Sequence, residues 1–136
     1  MVQFYFLSII TNLLAGLLLS ADMLGGKFTG LSSFKKIFEG NSSKMFFGVF
    51  TGIIGFLKFL SATEGDVVVV GDLLPAIFGL GMGIALVVDY YKSKSDVVTP
   101  AVENINALVV KNKGIIGILG LIVAFLHFLF PSVLFL

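Results

Sequence analysis

The chain has no cysteine, no tryptophan and no arginine, and one histidine and three prolines among 136 residues. Without cysteine there is no disulfide framework, no thiolate metal site and no cysteine nucleophile. All nine basic side chains are lysine, so the bidentate fork that grips phosphate or carboxylate is missing. A net charge of +1 offers no electrostatic footprint for nucleic acid. One histidine with no acidic cluster inside an apolar run leaves no metal-ligand set, and no cofactor is expected. His127 lies in a wholly apolar run, which suggests no Ser–His–Asp arrangement. Gly25-Gly26-Lys27 lacks the remaining glycines of a phosphate loop. On these grounds the chain is not expected to be an enzyme.

Charge is scarce as well. Charged residues make up 12% of the chain, about half the usual share in a soluble domain. In their place stand 15 phenylalanines and a mean hydropathy of +1.08. The apolar residues come in long runs, which points to lipid as the solvent.

Four spans are read: Val2 to about Ala21, Met45 to about Ala62, Leu73 to about Tyr91, and Gly114 onward. Each matches the roughly 17–25 apolar residues a helix needs to cross hydrocarbon. Val67 to Val70 is β-branched and short, and is read as an extended link or the entry into span three. Span one ends in Leu19-Ser20-Ala21, which resembles a cleavage site, but Met1-Val2-Gln3 carries no positive side chain. It is therefore read as a retained helix rather than a signal peptide.

The connections between spans carry their own patterns. Phe28, Leu31, Phe34, Ile37 and Phe38 recur at helical spacing between spans one and two. Between spans three and four, Thr99-Pro100 reads as an N-cap followed by proline at the first helical position. Val102, Ile105, Leu108 and Val109 then recur at the same spacing. Both connections are expected to be amphipathic helices, lying in the interface or packed on the bundle's own ends. They also hold the lysines: Lys27, Lys35, Lys36 and Lys44 in one, Lys92, Lys94, Lys111 and Lys113 in the other. The short link between spans two and three holds Glu64, Asp66 and Asp72 and no lysine. By the positive-inside rule the long connections are cytoplasmic and both termini face outward. The expected location is a bacterial or archaeal cytoplasmic membrane.

The chain reads as one unit written twice. Phe56-Leu57-Lys58-Phe59-Leu60 returns as Phe125-Leu126-His127-Phe128-Leu129, 69 positions later. Leu13, Gly16, Leu19, Asp22 and Lys27 meet Leu80, Gly83, Leu86, Asp89 and Lys94 at an offset of 67. Residues 1–66 and 67–136 are thus taken as two copies, each with two spanning helices and one interfacial helix. With the lysine pattern added, the copies share one orientation, as parallel rather than inverted repeats. The expected fold is an all-α integral membrane bundle of two tandem hairpins.

Small residues are the clearest pattern within the spans. Gly16 lies in span one, Gly48, Gly52 and Gly55 in span two, Gly79 and Gly83 in span three, and Gly117 and Gly120 in span four. Lipid gives helices no hydrophobic reason to pair, so close backbone approach must hold them, and glycine permits it. These eight are the candidate packing residues, within the chain or against a partner.

Asp22 and Asp89 hold equivalent places at the cytoplasmic ends of spans one and three, where a carboxylate opposes the helix dipole. Lys27 and Lys94, five residues on, are expected to offset them. Lys58 and His127 are likewise equivalent, about one turn inside the outer ends of spans two and four. The expectation is that Lys58 snorkels and His127 sits at the interface. The sharper reading joins both to the acidic link as a polar site near the outer face. Asp22, Asp89, Lys58 and His127 form the candidate polar or ion site. No carboxylate lies at membrane depth in the sequence, which removes the partner a proton relay needs.

The duplicated hairpin plan is similar to that of the proteolipid ring subunits of rotary ATPases. It departs from them because spans two and four contain no mid-membrane Glu or Asp and the connections are too long. That function is not carried over. The expectation is a non-catalytic membrane subunit or scaffold, whose partners are lipids and either itself or other membrane subunits. The alternative is a small channel or transporter using Thr11, Asn12, Thr51, Asp22 and Asp89. The direction in which Asn12 and Thr51 point separates these two.

Overall fold

The computed structural model describes residues 2–39, 42–60 and 72–130, and every regular element in them is a helix. The long helices are α1 (Val2–Leu24), α3 (Ser43–Leu60), α4 (Leu73–Lys94) and α6 (Lys113–Leu129). Between them lie α2 (Thr29–Phe38) and α5 (Pro100–Ile105), the latter running into a π-helical turn over Asn106–Val110. Three helices, α1, α3 and α4, are long and apolar enough to cross a membrane. The count reaches four when α5 with its π-turn and α6, bent by 57° at their junction, are taken as one span. The expected link at Val67–Val70, with Glu64 and Asp66, lies outside the described residues.

Local chemistry explains where the helices stop. After α1 come Gly25 and Gly26, the weakest helix formers short of proline; the amide of Gly25 bonds the Ala21 carbonyl at 2.8 Å, and those of Lys27 and Phe28 close the turn on the Leu24 carbonyl. At the start of α5 the Thr99 side chain accepts a hydrogen bond from the amide of Val102, with Pro100 at the first position. That is the cap expected from Thr99-Pro100. In the π-turn the amide of Lys111 reaches five residues back to the Asn106 carbonyl at 3.0 Å.

The four long helices form one bundle. α3 lies closest to α4, and α1 closest to α6. α1, α3, α4 and α6 enclose a core of Ala15, Leu18, Leu19, Met82, Ala85 and Leu86. Both amphipathic segments send apolar side chains onto it: Phe34 and Phe38 from α2, and Val109 from the π-turn. Phe28, just before α2, and Ile37 within it stay exposed. On the outer faces, α3 presents Phe46, Phe50, Ile53 and Phe56, and α6 presents Ile115, Leu119, Ile122 and Phe125.

Backbone approach is close in both tight pairs. A Cβ built on Gly83 would sit 2.6 Å from the Gly52 amide nitrogen and 2.7 Å from the Gly48 carbonyl oxygen. One built on Gly16 would lie 2.8 Å from the carbonyl oxygen of Gly117, and the converse distance is 2.7 Å. Gly55 faces the backbone of Gly79 and Leu80 just as closely. Gly120 instead faces the Met82 side chain. Because the obstructing atoms at Gly83, Gly55 and Gly117 are backbone, no rotamer change relieves them.

Candidate polar site in the bundle

The charged residues gather at the two ends of the bundle. At one end α1 and α4 finish while α3 and α6 begin. Asp22 and Asp89 stand there, and the lysines that meet them are Lys35, Lys44 and Lys113. Lys35 Nζ is 2.5 Å from Asp22 Oδ1 and Lys44 pairs with Asp89. Lys113 reaches both carboxylates, at 3.4 Å to Asp22 and 3.1 Å to Asp89. This corrects the expectation that Lys27 and Lys94 serve Asp22 and Asp89. Helix geometry is the reason: a lysine entering on a neighbouring helix or on α2 approaches the carboxylate from the side. The Asp22 carboxylate beside Lys35 holds its ammonium above the ordinary lysine range, against the opposing effect of burial.

At the other end α1 and α4 begin and α3 and α6 finish. Asp72, the residue before α4, turns its carboxylate into the bundle and makes no side-chain cap bond. Its Oδ2 lies 2.7 Å from Lys58 Nζ, and the two side chains are 4% and 3% exposed. Its Oδ1 lies 3.4 Å from His127 Nε2, whose side chain is 1% exposed. Tyr5 of α1 completes the group. Its ring packs edgewise on the His127 ring at 4.7 Å and lies 5.5 Å from Lys58 Nζ. Its hydroxyl donates to the His127 carbonyl oxygen at 2.8 Å.

Two expectations are corrected here. Lys58 does not snorkel outward and His127 is not exposed; both are buried beside the Asp72 carboxylate, and a buried charge is retained where it is paired. A carboxylate does reach the buried space, since Asp72 enters from the helix border instead of from within a span.

Between the two ends, the polar side chains of the spans are mostly used internally. Asn12 Nδ2 donates to the Pro75 carbonyl oxygen of α4 at 2.9 Å. Thr11 and Ser20 return bonds to carbonyls of their own helix. Thr51 is fully buried and its hydroxyl has no hydrogen-bond partner among the described residues.

Reading the sequence singled out Lys58 and His127 and named Asp72 as one of three acids in the link. It missed Tyr5, which looked like one more aromatic in an apolar run. The available signal was spacing: Tyr5 precedes Asp72 by 67 positions, the offset that also separates Asp22 from Asp89.

No curated protein and no solved structure matches the chain. A family model matches residues 1–127, and the chain belongs to that family, whose function is unknown.

Proposed function

We propose that the chain is a non-catalytic integral membrane subunit or scaffold, packing with itself or with a larger membrane complex in a lipid bilayer. The observation that carries this reading is the fate of Asn12. Its amide is spent on the backbone of α4, which ties two helices together. The outward apolar faces of α3 and α6 suit lipid or another helix.

The tandem-repeat reading belongs to the same proposal. Gly16 on Gly117 and Gly83 on Gly48 are reciprocal contacts under the offsets of 67 and 69. Asp22 with Lys113 and Asp89 with Lys44 are reciprocal in the same way. These pairings support two copies of one hairpin, 1–66 and 67–136, joined by glycine-lined contacts. Both long connections leave the bundle at the Asp89 end, which supports a lysine-rich cytoplasmic side with the amphipathic helices at that surface and both termini outside.

Purification in mild detergent, followed by mass spectrometry of what accompanies the chain, tests the proposal. The expected result is an oligomer or a set of co-purifying membrane proteins. A monodisperse monomer with no partner overturns it. The second reading, a small channel or transporter, draws on the buried Lys58–Asp72–His127 group, since ionisable residues inside a membrane protein mark ion pathways. Ion or solute flux into liposomes holding only this protein would favour that reading.

A further inference from the structure

One carboxylate serves two basic side chains at the Asp72 end, and all three are almost without solvent contact. We propose that Lys58, Asp72 and His127 form a proton-binding site, in which His127 takes up a proton and its imidazolium shares the Asp72 carboxylate with Lys58.

The placement of an imidazole against a shared carboxylate gives the reason. With a neutral imidazole, Lys58 and Asp72 cancel. Imidazole is the side chain whose charge changes nearest neutral pH, and the acid beside it has one oxygen engaged by Lys58 and the other facing Nε2. Asp72, Lys58 and Tyr5 are charged or titratable groups that face or adjoin His127. Asp72 at the start of α4 attracts the added charge, and Lys58 on α3 repels it. Tyr5 on α1 offers a ring edge, its hydroxyl already spent on a backbone carbonyl. In a poorly solvated space these opposed terms are far larger than in water. The proton passes from water or buffer to an imidazole lone pair, and no other bond forms or breaks. Its arrival places two cations in competition for one anion. Because Asp72 joins α3 and α6 to α4, the proton alters how firmly each is held.

The chain's single histidine makes the test direct. Full-length protein carrying 15N only in histidine, placed in lipid nanodiscs, gives one imidazole to follow by NMR. The expected result is a reversible change from neutral to doubly protonated nitrogens between about pH 8 and about pH 5. The midpoint falls by about 1 unit in Asp72→Asn and rises by about 1 unit in Lys58→Met. Nitrogen shifts that stay flat over that range in the unmodified protein overturn the proposal, as does a midpoint that neither variant moves. If Asp72→Asn does not fold, the unmodified protein and Lys58→Met decide on the same criteria.

Discussion

At the scale of single residues, the placement of Lys58 follows from electrostatics in a poorly solvated space. A lysine this close to the end of a span has a stem long enough to reach water, yet its ammonium turns to Asp72 and its side chain is 3% exposed. Removing one partner of a buried pair leaves an uncompensated charge, which costs about 3–5 kcal/mol. Lys58→Met is therefore expected to lower stability by that order, measured by denaturant unfolding in detergent micelles. The double variant Lys58→Met with Asp72→Asn should recover much of the loss, because neither charge is then stranded. Near-additive losses would mean that the two side chains do not act as a pair. From the sequence alone, the burial of Lys58 was not legible. Fourteen positions separate Lys58 from Asp72, and nothing in residue type marks Asp72 as a carboxylate that turns inward.

At the scale of elements, the helices themselves were readable because length and apolar content decide them. Span one was read to Ala21 and α1 continues to Leu24; span three was read to Tyr91 and α4 continues to Lys94. The added residues include Asp22, which pairs with Lys35 and Lys113, and Lys92, which pairs with Glu103. Helix partners were less readable than helices. Glycine spacing marks a face able to approach closely but not the helix it approaches. Gly83→Ala should drive Cβ into the α3 backbone and cost about 1–3 kcal/mol as overpacking. Gly81→Ala, where nothing lies within 4 Å of the added carbon, should be close to neutral. Thermal unfolding of both in the same detergent makes the comparison, and equal effects would remove the special role of the Gly83 contact.

The short helix α2 allows a separate prediction. Phe34 and Phe38 hold it on the core and Lys35 ties it to Asp22. Asp22→Asn should raise hydrogen exchange across Thr29–Phe38 by several-fold while leaving α4 protected. The raised lysine value fixes the pH window of this tie on the lysine side. Its contribution is fully present below the ordinary value of 10.5 and is lost only as pH rises through the higher folded value. Exchange of α2 should therefore not loosen through deprotonation of Lys35 between about pH 7 and about pH 9.

At the scale of the whole molecule, the lysine distribution makes an orientation prediction. Lys36→Cys should react with a membrane-impermeant thiol reagent only after the membrane is opened, and the absence of native cysteine leaves no competing thiol. Labelling in intact cells would reverse the assigned sides. Offsets of 67 and 69 were legible at this scale, whereas the meeting of Tyr5, Lys58, Asp72 and His127 needed the third dimension.

The closest neighbour of α1 is α6, and that of α3 is α4. A ribosome makes α1 first and α6 after all the other described helices. α3 and α4 can zip together soon after both emerge, because little chain separates them. α1 must wait in the bilayer with its glycine face uncovered until α6 arrives, a long-range closure of the kind that slows folding and exposes chains to misassembly. Closure of the α1–α6 pair is therefore a late step among the described helices.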